Sequence, residues 1–302
     1  EVLAAQNYAL LQKIFPEYRV GYLAGGSTAK EKRELKAAIH AGEVDIVCGT
    51  HAVLQSDVHF ARLAFCVCDE QHRFGVAQRS VLSEKGDSPD MLVMSATPIP
   101  RTLSLVFYGD LDVTTITDKP LDRLPISTSI IPAFKYDDML AYIRSETKKG
   151  RQAYFVCAKI DDDEGDVTSV TELWEELRNR LPDVRFALLH GRMKDKEKSA
   201  VMTAFKNREY DCLVSTTVIE VGVDVPNATI MVIMNAERFG LSQLHQLRGR
   251  VGRGSEKSWC FLMIGSDSET ARERLNIFKN TSDGFAQLEE LDSIQQGTAK
   301  KT

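Results

Sequence analysis

Residues 63–70 read LAFCVCDE, six apolar positions followed by two carboxylates. A short apolar run without alternation suits a strand buried on both faces, as in a parallel sheet covered by helices. Asp69 and Glu70 then emerge at the carboxyl end of that strand, where open α/β sheets bind ligands. There Asp69 can hold Mg²⁺ through water, and Glu70 can orient or deprotonate an attacking water. Taken alone, an Asp-Glu pair after a strand is usually just the start of a helix. His72 alone is more often a structural or surface histidine.

Working outward, the same pattern recurs. RVGYLAG (19–25), EVDIVCGT (43–50) and DMLVMSAT (90–97) read as strands, and KEKRELKAAIHAG (30–42) and PRTLSLVFYGDL (100–111) as helices. A second set of strands follows, in RQAYFVCA (151–158), RFALLHG (185–191), YDCLVSTT (210–217), TIMVIMNA (229–236) and SWCFLMIG (258–265). Helical spacing in SVTELWEELRNR (169–180) and EKSAVMTAFKN (197–207) separates them. Between the sets, TDKPLDRLPIST (117–128) has Pro120 and Pro125 and no periodicity, so it reads as a linker. The expected architecture is α/β, with two lobes built on mainly parallel sheets and divided at 1–122 and 123–302. The lobes resemble each other in architecture without an evident sequence repeat.

Composition fits this picture. A length of 302 residues is long for one core, and 43% hydrophobic with 27% charged residues is ordinary for a globular chain. No apolar run approaches a membrane span, and EVLAAQ at the start has no basic signal-peptide region. The six cysteines all fall in strand-like runs without a CxxC pair, the pattern of buried thiols in a reducing cytosol. A net charge of −5 taken alone argues against nucleic acid, but a basic groove can coexist with an acidic surface such as DDDE at 161–164.

Three further stretches carry chemistry. In SATPIPRTL (95–103), Ser95 and Thr97 leave a strand where they could bond across to the acidic pair. In VSTTVIEVGVDVPNA (214–228), Thr216 and Thr217 could meet a nucleic-acid phosphate and Asp224, near Gly222, a ribose hydroxyl. In QLHQLRGRVGRG (243–254), Arg250 and Arg253 are three apart and on a helix would share one face. Two guanidiniums presented together suit a triphosphate, and the interleaved glycines permit close approach. Each stretch also has a plain structural reading by itself.

In combination they resemble a known family. DEQH (69–72), SAT (95–97) and QLRGRVGR (246–253), in this order, are similar to motifs II, III and VI of superfamily 2 helicases. THAVLQ, DEQHRFGVAQR, SATPIPRTL, LHGRMK, TTVIEVGVDVPNAT and AERFGLSQLHQLRGRVGRG look like the RecG family of bacterial branched-DNA helicases, from residue 1 to about 285. The resemblance implies two RecA-like lobes of the P-loop NTPase fold and ATP with Mg²⁺ as cofactors. It also implies a role in recombination and repair at stalled forks and Holliday junctions, in the cytoplasm at the nucleoid. Asp69 and Glu70 match the Walker B carboxylates, His72 couples ATP to DNA, and Arg250 and Arg253 match arginine fingers. Gly222 and Asp224 would join them at the nucleotide, and Ser95, Thr97 and Gln246 would couple the sites. Gly25, Ser27, Gly49, Thr50, His190, Gly191, Thr216 and Thr217 would face DNA, gripping phosphates without reading bases. Further partners implied are branched DNA with duplex arms and single-stranded-DNA-binding protein, and no membrane.

Motif VI departs from the common QRxGRxGR, because Leu247 follows Gln246 and the first arginine is displaced to Arg248. TSDGFAQLEELDS starts like the family's C-terminal coupling region, but IQQGTAKKT does not continue it, so that region reads as truncated or altered. A P-loop needs Gly-Lys followed by Ser or Thr, and none of the 19 glycines is followed by lysine. The chain therefore reads as beginning just after the phosphate loop, with the first lobe incomplete and the 302 residues alone inactive toward ATP. Two rivals stand beside this reading: the motor of the transcription-repair coupling translocase, and a DNA- or protein-binding fragment without catalysis.

Overall fold

The computed structural model describes residues 2–69, 81–95, 112, 114, 116, 124–158, 163–216, 225–265 and 269–280. The chain divides into two compact units, Glu1–Ala96 and Thr97–Thr302. The boundary expected at 122–123 and the helix expected over 100–111 lie outside the described residues.

The first unit contains α1 (Val2–Ile14), β1 (Val20–Leu23), α2 (Ala29–His40), β2 (Ile46–Gly49), β3 (Phe65–Cys68) and β4 (Asp90–Val93). β1 pairs parallel with β2, and β3 parallel with β4. α2 starts where Thr28 and Glu31 form a capping box: Glu31 N–H donates to Thr28 Oγ1 at 3.3 Å and Thr28 N–H to the Glu31 carboxylate at 2.8 Å. Lys85 Nζ donates to the carbonyls of Gln55 and Val58 (2.7 and 2.8 Å), pinning the segment after β2 to the one before β4. β3 departs from expectation. Cys66 and Cys68 are buried, but Phe65 and Val67 on the other face are 56% and 54% exposed, as is Leu92 of β4 at 47%. Among the described residues only one face of this apolar run has a covering layer.

The second unit contains β5 (Ser127–Ile131), α3 (Tyr136–Lys148), β6 (Gln152–Cys157), α4 (Asp163–Arg180), β7 (Phe186–Leu189), α5 (Asp195–Lys206), β8 (Cys212–Ser215), β9 (Ala228–Met234), α6 (Leu241–Arg248), β10 (Trp259–Met263) and α7 (Glu269–Asn280). Its six strands form one wholly parallel sheet in the order β5-β10-β9-β6-β8-β7. The sheet begins at Ser127, inside the stretch read as linker. β6 and β8 are buried at every position, and Phe155, Val214, Val232 and Phe261 pack with Ile143, Val170 and Leu177 of α3 and α4 in the main core. Burying this much apolar surface is the main term favouring the fold.

One expectation needs correction: the chain does contain a repeat. Arg19-β1-α2-Asp45-β2 and Arg185-β7-α5-Asp211-β8 match position for position, at one constant separation along the chain. Arg19 N–H donates to Asp45 Oδ2 at 2.8 Å, and Arg185 N–H to Asp211 Oδ2 at 2.9 Å. Thr28 and Lys194 stand at the two N-caps, and each backbone N–H donates to a glutamate three residues on, Glu31 or Glu197. Gly42, with φ 71°, has Arg208, with φ 65°, as its counterpart. The residues that accept these bonds are the same in both copies, Asp45 and Asp211 after the helix and Glu31 and Glu197 in its first turn, while most apolar positions between them differ.

Candidate functional site

In the first unit the described candidates collect at the carboxyl ends of parallel strands. Leu23 pairs with Gly49, so the turn holding Gly25 and Ser27 and the start of the next turn at Thr50 are neighbours. Ser27 N–H donates to Ala24 O (3.3 Å), and Thr50 N–H to Leu23 O (3.1 Å). Lys32, one turn into α2, donates from Nζ to Gly25 O at 2.5 Å and holds the turn's shape. Gly49 cannot be another residue here, since a Cβ would fall 2.1 Å from Leu23 O. On the other pair, Met94 N–H donates to Cys68 O at 2.8 Å, which sets Asp69 and Ser95 side by side beyond β3 and β4. Glu70, His72 and Thr97 lie outside the described residues.

The second unit repeats this arrangement. Leu189 pairs with Ser215, so His190 and Gly191 after β7 adjoin Thr216 after β8. Thr216 N–H donates to Leu189 O at 3.3 Å, and Thr216 itself is buried. Burial, with Arg192 and Lys198 nearby, pushes the His190 pKa down against the opposing pull of Glu197. His190 is therefore mainly neutral near pH 7. Thr217, Gly222 and Asp224 lie outside the described residues.

The arginine segment differs from expectation. α6 buries Leu241, Leu244 and Leu247 at helical spacing and ends at Arg248, with Gly249 as its C-cap. Arg250 and Arg253 therefore do not share a helix face; they sit on the turn that follows. The glycines beyond the helix end fit a crowded turn. Gly252 has φ 72°, and a Cβ there would meet Ile126 Cγ1 at 2.9 Å; one on Gly254 would meet Pro226 O at 2.9 Å. The close approach that these glycines permit is to the protein's own backbone and core. Arg250 and Gln246 are half-buried and Arg253 is exposed, with its Nε donating to Gly249 O at 3.3 Å. Arg248, noted in the sequence only as a displaced arginine, is 6% exposed. Its Nη1 donates to Phe278 O at 3.0 Å and its guanidinium lies 4.2 Å over the Phe278 ring.

Comparison with known proteins bears on both units. Residues 1–106 match the DEAD/DEAH box helicase family, and residues 135–255 the helicase conserved C-terminal domain. The ATP-dependent DNA helicase RecG of Streptococcus pneumoniae serotype 4 is 48% identical over 292 residues, 96% of this chain and 44% of that protein. RecG of Thermotoga maritima is 47% identical over 94% of this chain and 37% of its own length. A structure of RecG bound to a three-way DNA junction superposes with TM-score 0.78 at 43% identity, over 96% of this chain and 38% of that one.

Over nearly its whole length this chain matches part of the RecG helicases.

It spans less than half the length of the RecG proteins it matches. A superposition on yeast Dbp5 bound to RNA, TM-score 0.67 at 14% identity over 99% of this chain and 78% of that one, reflects the shared helicase fold alone. The two-lobed α/β reading thus holds, and the transcription-repair translocase is not favoured over RecG. Among the described residues no helix is long and apolar enough to cross a membrane.

Proposed function

We propose that this chain is the motor of an ATP-dependent helicase that remodels branched DNA, acting on stalled forks and Holliday junctions in recombination and repair. The observation that carries the reading is likeness to RecG over nearly the whole of this chain, one RecG structure holding a three-way junction. The repeated strand-end turns support it, because two equivalent grips built of backbone and small side chains suit phosphates and not bases.

In this reading Gly25, Ser27, Gly49 and Thr50 in one unit, and His190, Gly191, Thr216 and Thr217 in the other, contact DNA. Asp69 fits a magnesium ion, as a single carboxylate at a strand end, since Mg²⁺ takes few protein oxygens and relies on phosphates and water. Bound with ATP, the ion would neutralise charge on the phosphates. Glu70 orients or deprotonates the attacking water, His72, Ser95, Thr97 and Gln246 couple the two sites, and Gly222 and Asp224 contact the nucleotide. Arg250 and Arg253, free of a helix, can extend toward phosphate oxygens and stabilise charge that builds up in transfer. Contact with single-stranded-DNA-binding protein and a place at the nucleoid belong to the same proposal.

The test is ATP-driven unwinding of a three-way junction beside a linear duplex by the full-length helicase. Preferential unwinding of the junction is expected, and equal or absent unwinding of both would refute the reading.

A further inference from the structure

We propose that α7 belongs to the nucleotide-responding machinery: Arg248 and Arg274 tie it to both ends of α6, so that the turn carrying Arg250 and Arg253 cannot shift without moving α7. This rests on the reading of Arg250 and Arg253 as nucleotide ligands.

Arg248 is the last residue of α6 and is committed to α7. Its guanidinium both donates to Phe278 O at 3.0 Å and stacks 4.2 Å over the ring of the same residue, while Nη2 lies 3.3 Å from His245 Nδ1. Burying a guanidinium is costly, and burial pulls its pKa down. A planar fork can stack and donate together, whereas a lysine ammonium cannot reproduce both. At the other end of α6, Glu237 lies in the 3₁₀ turn Ala236–Arg238 that leads into the helix. Its backbone carbonyl accepts from Arg274 Nη2, and its carboxylate accepts from Gly265 N–H at 3.1 and 3.2 Å. That turn is entered through Asn235 in the left-handed region, φ 50°, and a Cβ on Gly265 would fall 2.1 Å from Asn235 Oδ1. The loops after β9 and β10 are therefore interlocked.

Arg274 and Phe278 are four apart and share one face of α7. That face is buried: Leu275 and Phe278 of α7 and Leu244 of α6 are each 0% exposed, and Leu247 is 1%. Close-packed contacts of this kind shift as a block or between discrete arrangements instead of deforming gradually. The two clamps thus bracket α6 and the arginine turn between them. Arg248 and Arg274 are positioning residues, acting through the turn and not on the nucleotide.

Amide hydrogen exchange of the full-length helicase, with junction DNA and with or without a non-hydrolysable ATP analogue, tests this. Exchange over residues 269–280 should change at least about fivefold when the analogue binds. In Arg248→Lys the nucleotide-free exchange should match wild type, the response should vanish, and kcat should fall about tenfold while KM for ATP stays within about twofold. Arg274→Lys is the second variant should Arg248→Lys fail to fold, and the wild-type response is a test without either. Unchanged α7 exchange on analogue binding, or a full response and wild-type kcat in Arg248→Lys, overturns the proposal. Neither result touches the roles of Arg250 and Arg253, which fail separately if Arg250→Ala turns over ATP normally.

Discussion

Thr50 and Thr216 occupy the same position in two copies of one βαβ unit. Each backbone N–H donates to the leucine that ends the neighbouring strand, Leu23 at 3.1 Å and Leu189 at 3.3 Å. Each closes a turn beside a second turn, with Gly25 in one copy and Gly191 in the other. If these are phosphate grips, DNA binding by the full-length helicase should be independent of sequence. It should also weaken by about tenfold or more between 50 and 200 mM salt. Fluorescence anisotropy titrations on two unrelated junction sequences check both points, and a flat salt dependence or a strong base preference counts against the grips.

The copies differ at the turn after their helices, where Gly42 and Arg208 both have positive φ. Gly42→Ala forces a side chain into the left-handed region and against Ala61 Cβ at 3.3 Å, so it should cost about 1 kcal/mol or more in urea denaturation. Arg208→Gly keeps the carbonyl that accepts from Arg185 and removes the same strain, so it should cost nothing measurable. A larger loss from Arg208→Gly than from Gly42→Ala would contradict the equivalence.

Glu146 is 3% exposed and accepts from Lys149 Nζ and Arg151 Nη1, each at 2.6 Å. Burial pushes its pKa up, but the two cations more than offset this and hold it below the usual 4.5. A folded pKa below the unfolded one stabilises fully above about pH 4.5, and this stabilisation is lost as pH falls through the lower folded value. Denaturation midpoints should therefore drop more steeply below that pH in wild type than in Glu146→Gln. Parallel curves would show that the pair contributes nothing to acid stability.

The 302 residues contain no Gly-Lys pair, and arginines from the second unit cannot replace backbone N–H groups wrapped around a phosphate. Purified alone they should release no phosphate from ATP above background, with or without DNA. A malachite-green assay beside the full-length helicase checks this, and comparable rates would mean that the phosphate site has been misread.

Much of this was legible in the sequence, for reasons particular residues show. The apolar runs around Val67, Val93, Leu189 and Val214 gave strands whose carboxyl ends hold Asp69, Ser95, His190 and Thr216. Pro125 hid β5, because its first residues were absorbed into a linker reading. The spacing of Arg250 and Arg253 suggested a helix face, but the helix ends at Arg248, before it reaches them. Spacing reports what could share a face, not where the chain stops being helical. Arg248 gave no signal of burial, since the ring and carbonyl of Phe278 that receive it lie thirty residues away. Nor did the repeat stand out, because the identical residues, such as Asp45 and Asp211 or Glu31 and Glu197, are scattered between apolar positions that differ.

The central claim, that Asp69 and Arg250 serve ATP and not DNA, is tested most directly by junction-stimulated ATP hydrolysis in the full-length helicase. Asp69→Asn and Arg250→Ala should each lower kcat by about 10³-fold while leaving junction affinity within about twofold of wild type. Normal turnover in either variant, or loss of junction binding with turnover intact, would contradict the account.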